Sequence, residues 1–196
     1  MSKSVLISIQ PYWVFFIIAR KMGWNIDKEK TIEVRKNFPK DQDWNRNVEI
    51  YCSKDKKSFS KIPKEYQPLM QKFLGKVIGE FVCDRVDNYI YRGTDNELYW
   101  RYPDSIEIEK VKKESCLTIG QIIDYTGDSD NCYGWHITDL KIYDKPKELG
   151  EFKKCCHGIG LCAKCDKNVY YGGNCDGGVI ENAPQSWGYV MEIQNG

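Results

Sequence analysis

The chain has 196 residues, with 29 lysines and arginines against 28 aspartates and glutamates and a formal net charge of +1 at pH 7. So even a balance excludes a global field that would draw the protein onto nucleic acid or anionic lipid, and any polyanion contact has to be local. The longest apolar run, Tyr12 to Ala19, is too short to span a bilayer, and no cationic stretch with a cleavage site precedes it. The expectation is a cytoplasmic protein with no membrane contact, folded as a single domain over 1–196 with insertions.

Val5, Ile7 and Ile9 alternate and predict a first strand. Pro11 suits the first turn of a helix, where its fixed φ and missing N–H do no harm; the helix is expected to reach about Met22 and to close on a left-handed Gly23. Lys30 to Lys36 reads as a second strand, with Thr31, Glu33 and Arg35 on one side and Ile32 and Val34 on the other. The apolar pair should face a core, leaving Glu33 and Arg35 as a polar floor for a ligand, or as an ordinary salt-bridged strand edge. A polar turn at Asp41-Gln42-Asp43 leads to a third strand through Val48, Ile50 and Cys52. Lys54 to Lys64 reads as a basic loop carrying an exposed Phe59, able to grip phosphate or simply solvated. A short helix around Pro68 to Leu74 and a strand from Lys76 to Val86 follow.

Residues 87–115 read as a loop or hairpin insertion, with an aromatic run at Leu98 to Tyr102 and strand-like alternation at Ile106-Glu107-Ile108-Glu109. Thr118 and Gln121 have capping-box spacing and predict a helix through Tyr125. A long strand is expected over Trp135 to Tyr143, a helical turn at Pro146 to Leu149, and a closing strand over 187–193.

Before that last strand lies a Cys-rich insertion, 151–184, poor in core-forming residues. Cys162-Ala163-Lys164-Cys165 has zinc-knuckle spacing, and a structural zinc held by Cys156, Cys162, Cys165 and Cys175, with Cys155 or His157 as alternates, would order a segment that cannot bury enough apolar surface alone. Unpaired thiols in a loop, or a disulfide formed only on oxidation, are the competing readings. Cys52, Cys83, Cys116 and Cys132 fall on or near strands and are expected as small buried hydrophobes.

The order of these segments, with Lys30, Glu33 and Arg35 after a first strand and helix, resembles the ASCH family, a branch of the PUA-like small β-barrels, and in detail the ASCH proteins of bacteriophages and prophages. The likeness spans roughly residues 4–149 plus the closing segment Trp187 to Val190. It implies an α+β fold, a small mixed β-barrel with flanking helices, and a cleft that binds RNA or a nucleotide. On that reading Lys30, Arg35 and Lys54 bind the ligand, with Tyr12, Trp13 and Trp135 supplying rings for stacking and His136 a hydrogen bond. Some similar ASCH proteins hydrolyse the amide of N4-acetylated cytidine with a Lys, a Thr and a Glu. Lys30 matches the first and Glu80 the last, but Glu33 stands where the Thr should be, and a carboxylate there would repel a developing oxyanion. Lys30, Glu33 and Glu80 are thus the catalytic candidates of an amidohydrolase reading. A third reading is a protein-interaction module using Tyr99, Trp100 and Tyr102 of 87–115.

Overall fold

The computed structural model describes residues 4–39, 46–101, 105–155 and 178–193. The strands are β1 (Ser4–Ile9), β2 (Ile32–Arg35), β3 (Arg46–Cys52), β4 (Lys76–Cys83), β5 (Val86–Arg92), β6 (Leu98–Trp100), β7 (Asn131–His136), β8 (Thr138–Lys147), β9 (Phe152–Lys154) and β10 (Trp187–Glu192). The helices are α1 (Pro11–Ile18), α2 (Lys56–Phe59), α3 (Gln67–Gln71), α4 (Ser105–Ser115) and α5 (Ile119–Thr126). The result is a mixed α+β protein whose described strands form two sheets, and no pairing among the described residues closes either one into the expected barrel. No described helix is long and apolar enough to cross a membrane.

The chain divides into two compact units, 1–14 with 47–81 and 141–196, and 15–46 with 82–140. The first is built on a six-stranded sheet in the order β8-β4-β3-β1-β10-β9. β1 runs parallel to β3 and antiparallel to β10, with Leu6 opposite both Glu49 and Gly188. Val5, Leu6 and Ile7 are all fully buried, so β1 is covered on both faces, as a central strand must be. Leu6, Tyr51, Val77, Phe152, Ile180 and Val190 form one core cluster of this unit.

The second unit carries the four-stranded antiparallel sheet β2-β7-β5-β6. Its core joins Ile32 and Val34 to Tyr89, Ile90 and Cys132 of the neighbouring strands and to Val111 of α4 and Ile122 of α5. A bulge between Asn88 and Ile90 seats the Tyr89 ring over Gly134, where a Cβ would lie 2.2 Å from the ring. Only glycine leaves that space.

Several expectations change. The alternating Ile106–Glu109 run is helical: Ile108, Val111 and Ser115 share a face at helical spacing, while Ile106 is 73% exposed, so four alternating residues lie within α4 and not in a strand. The 87–115 stretch supplies the β5–β6 hairpin and α4, and β5 sits between β7 and β6 in the sheet. The long strand expected over Trp135 to Tyr143 breaks at Ile137 into β7 and β8, with Asp139 in the left-handed region at φ 47°. β8 then runs on through Lys147, so the helical turn expected from Pro146 is displaced to a 3-10 turn over Leu149–Glu151. α1 ends at Ile18, and Gly23, at φ 66°, closes the turns that follow. The basic loop begins with α2, capped by the Asp55 carboxylate, and Phe59 is half-buried. The capping box is formed: Thr118 Oγ1 accepts from Gln121 N and Gln121 Oε1 accepts from Thr118 N.

Candidate functional site

β2 is buried on both faces. Ile32 and Val34 enter the core as alternation requires, yet Lys30, Glu33 and Arg35 are only 3%, 5% and 8% exposed. The polar side is therefore a buried charge cluster, which corrects the open polar floor expected of Glu33 and Arg35. Arg35 Nη2 lies 3.0 Å from Glu33 Oε1, and Lys30 Nζ lies 3.4 Å from Glu33 Oε2. Lys30 Nζ also donates to the Ser115 carbonyl at 2.8 Å. Ser115 ends α4, so the ammonium serves one of the unpaired carbonyls at the negative end of that helix. Burial lowers the Lys30 pKa, outweighing the opposing attraction of Glu33, with Arg35 adding a smaller push the same way. Its neutral amine is therefore more accessible than that of a surface lysine.

Lys30 also lines a cavity of about 480 Å³. Ile17, Ile137 and Leu140 form an aliphatic wall, and Arg20 and Lys21, both exposed, add two further cations. Arg20 is held 3.3 Å from Glu29, which lines the same cavity with Asp139. Thr31, beside Lys30, completes it, its carbonyl accepting from Ile137 N at 2.9 Å. None of Arg20, Lys21, Ile137 and Leu140 stood out in the sequence. The only local signal was the Arg-Lys pair after an apolar helix, which reads equally well as a solvated helix end.

The other expected residues fall elsewhere. Trp135, opposite Glu33 in the β2–β7 ladder, is 1% exposed and is a core residue, which corrects its stacking role. His136 Nε2 lies 2.8 Å from Asp87 Oδ2 and 3.0 Å from Arg85 Nη2, so its ring is engaged in a local polar cluster. Glu80 belongs to the first unit, where its carboxylate meets Lys141 Nζ at 3.1 Å. Tyr12, Trp13 and Lys54 are also first-unit residues: the two rings make an edge-to-face pair at 4.9 Å, and the Lys54 side chain lies across Gly75. Tyr99 is exposed and stacks on Tyr91, whereas Trp100 packs against the core, which removes it as an exposed anchor; Tyr102 lies outside the described residues.

Of the zinc candidates, Cys156, His157, Cys162, Cys165 and Cys175 lie outside the described residues; Cys155 is half-buried beside β9. Among the described residues no group of three or more His, Cys, Asp or Glu is placed to hold a metal. Cys52, Cys83 and Cys132 are buried as expected, and burial pushes the thiols of Cys52 and Cys83 up to about 12; Cys116 is half-buried. A second buried acid, Glu49, went unnoticed because it alternates with apolar residues inside β3. Tyr143 Oη donates to its Oε2 at 2.7 Å, and burial raises its carboxyl to about 7.

No family model matches the chain, and no curated protein does. Among solved structures it is similar to ASCH from Zymomonas mobilis, at 16% identity over 74% of this chain and 73% of that one, with a TM-score of 0.44. A serine-to-alanine variant of the Zymomonas mobilis ASCH protein aligns over 98% of this chain and 89% of that one, at 14% identity and a TM-score of 0.49.

Proposed function

We propose that the protein binds a nucleotide in the cavity of the second unit that Lys30 lines. One observation carries this reading: a lysine fixed by Ser115 and Glu33 lines a cavity that also combines an aliphatic wall with two exposed cations, Arg20 and Lys21. Its volume, about 480 Å³, falls within the range of small-molecule sites. Ile17, Ile137 and Leu140 suit the face of a base, and the cations suit its phosphate. Glu33 and Arg35 act as positioning residues that hold Lys30. Among the described residues the lining holds no aromatic ring, which favours a nucleotide over a strand of stacked unpaired bases. Calorimetric titration with the four nucleoside monophosphates tests the reading. Micromolar binding of at least one, weakened tenfold or more by the double variant Arg20→Ala/Lys21→Ala with unfolding unchanged, is expected as an order-of-magnitude effect on the order of 1–2 kcal/mol. Failure of all four to bind refutes it.

A second reading, hydrolysis of an acylated nucleoside, is favoured by the lowered Lys30 pKa, which suits a general base. Glu33, in the place of a hydroxyl donor, works against an oxyanion, so slow or no turnover is expected. Incubation with N4-acetylcytidine, followed by chromatography, decides between the two: rapid release of acetate, abolished by Lys30→Ala, makes the enzyme reading primary.

A further inference from the structure

The basic stretch 54–76 has no part in the cavity that Lys30 lines. It belongs to the first unit and holds seven of the chain's 29 lysines and arginines but only two of its 28 aspartates and glutamates. The rest of the chain is left with 22 cations against 26 acids, so the near-neutral total conceals a cationic segment on an acidic body. Lys54, Lys56, Lys57, Lys61, Lys64 and Lys72 are exposed, and among the described residues none of the six forms an ion pair. The seventh, Lys76, is matched to Glu148, as Lys141 is to Glu80 and Lys147 to Glu192 in the same unit. Of the two acids in the stretch, Asp55 is committed to the cap of α2. The display is also pinned to the fold. Ser58, Ile62, Met70 and Phe73 are buried, Ser58 Oγ accepts from Tyr12 N at 3.1 Å, and Gln67 Nε2 donates to the Ile62 carbonyl at 2.8 Å. The Lys54 stem is laid across Gly75, which sits at φ 74° and where a Cβ would come within 2.2 Å of the lysine Cε. Only glycine meets both demands. Six like charges are thus held on one ordered stretch, and their mutual repulsion is relieved only by an external anion.

The chemistry of the stretch selects among anions. Protein interfaces favour aromatic rings and arginine over lysine, and 54–76 contains no arginine. A lipid surface requires an apolar face to insert; here Ile62, Met70 and Phe73 are spent on the core, leaving Leu69 as the one exposed large aliphatic residue. A single strand requires rings open to stacking, whereas Phe59 and Tyr66 are half-buried. Ser58, Ser60 and Gln67 spend their polar groups on the protein's own backbone, so little remains to read base edges or ribose 2′-hydroxyls. What remains is charge. We infer that this stretch grips the phosphate backbone of double-stranded DNA, without regard to sequence. The inference is independent of the nucleotide reading of the second unit.

Fluorescence anisotropy of the full chain on labelled DNA duplexes of about 20 base pairs tests it. Binding near micromolar at about 50 mM salt is expected, equal within about threefold for two unrelated sequences. Affinity should fall with salt along a log–log slope of about −3.5 to −5.5, which is roughly four to six phosphates at about −0.9 each. Lys56→Gln/Lys57→Gln/Lys61→Gln should weaken binding at least about tenfold and flatten that slope by about 2–3, with thermal unfolding unchanged. Lys64→Gln/Lys72→Gln serves as a second variant should the first fold poorly. The charge-matched Lys110→Gln/Lys113→Gln/Lys145→Gln, outside the stretch, should change affinity by less than about threefold. No binding to duplex DNA overturns the inference, and so does equal weakening by the two triple variants. Tighter binding to the matching single strand, to duplex RNA or to anionic phospholipid vesicles overturns it as well. The nucleoside monophosphate titrations read a different site, so either reading can fail without the other.

Discussion

Replacing Glu49 by glutamine should stabilise the protein at neutral and alkaline pH and leave it nearly unchanged in mild acid. The Glu49 carboxyl rises from 4.5 to about 7 because it is buried among β-strands, with Glu80 and Glu192 nearby; the Tyr143 hydroxyl and Lys147 pull the other way without offsetting the burial. Below pH 4.5 the acid is protonated in both folded and unfolded chains, so it has no effect on the balance between them. Between 4.5 and about 7 the folded state holds a proton that the unfolded state has released, so stability falls as pH rises through this window and stays lowered above it. At about 1.4 kcal/mol for each pH unit separating the two pKa values, the full penalty is on the order of 3 kcal/mol, an upper figure for a side chain this buried. Glutamine keeps an oxygen to accept from Tyr143 and carries no charge, so Glu49→Gln should remove the penalty without losing the hydrogen bond. Urea unfolding of both proteins at pH 4.5, 6, 7 and 8 measures it. The stability difference should grow from near zero to roughly 2–3 kcal/mol in favour of the variant, levelling off above pH 7. Parallel pH profiles, or a variant less stable at pH 8, refute the reasoning.

Arg35→Ala should unfold or severely destabilise the second unit, by about 3–5 kcal/mol, because it breaks a buried pair and leaves the Glu33 charge facing only Lys30; a urea midpoint within error of the parent would show the cluster to be better hydrated than its burial implies. Gly134→Ala forces the Tyr89 ring out of the core and should cost about 2 kcal/mol or more, read from the same unfolding curves. Lys30→Met removes the partner of the Ser115 carbonyl and one of two cations on Glu33, with an expected loss of about 1–3 kcal/mol at pH 7. Because the Lys30 pKa is lowered on folding, that loss should widen as pH rises from the lowered value toward 10.5, where the folded parent has already shed a proton that the unfolded chain keeps. From the spacing of Cys156, Cys162, Cys165 and Cys175, about one zinc per chain is expected by elemental analysis of protein purified without added metal, released by acid or chelator; its absence, with the thiols of those four cysteines rapidly titratable, would leave them as free cysteines.

What could be read from the sequence was local. The capping box at Thr118 and Gln121 is decided within four residues, and Gly23 and the β1 and β10 strands follow from short patterns. Alternation along β2 sorts Ile32 and Val34 from Glu33 and Arg35, but it cannot say what covers the polar side. That cover depends on contacts far along the chain, such as the Ser115 carbonyl that takes the Lys30 ammonium. The cavity was hidden for the same reason: Arg20, Lys30, Ile137 and Leu140 are brought together only through long-range pairing, including the bond from Ile137 N to Thr31 O. The Ile106 to Glu109 run misled because two alternations are too few to separate a period of two from one of 3.6, and the helical face shows only when Val111 and Ser115 are counted.

The central claim, that the cavity lined by Lys30 holds a nucleotide, is tested most directly by a crystal structure grown with the nucleoside monophosphate that binds tightest. The account expects the base against Ile17, Ile137 and Leu140, with its phosphate within hydrogen-bond reach of Arg20 or Lys21. A cavity closed by its own side chains, or a nucleotide bound elsewhere with this cavity empty, would contradict it.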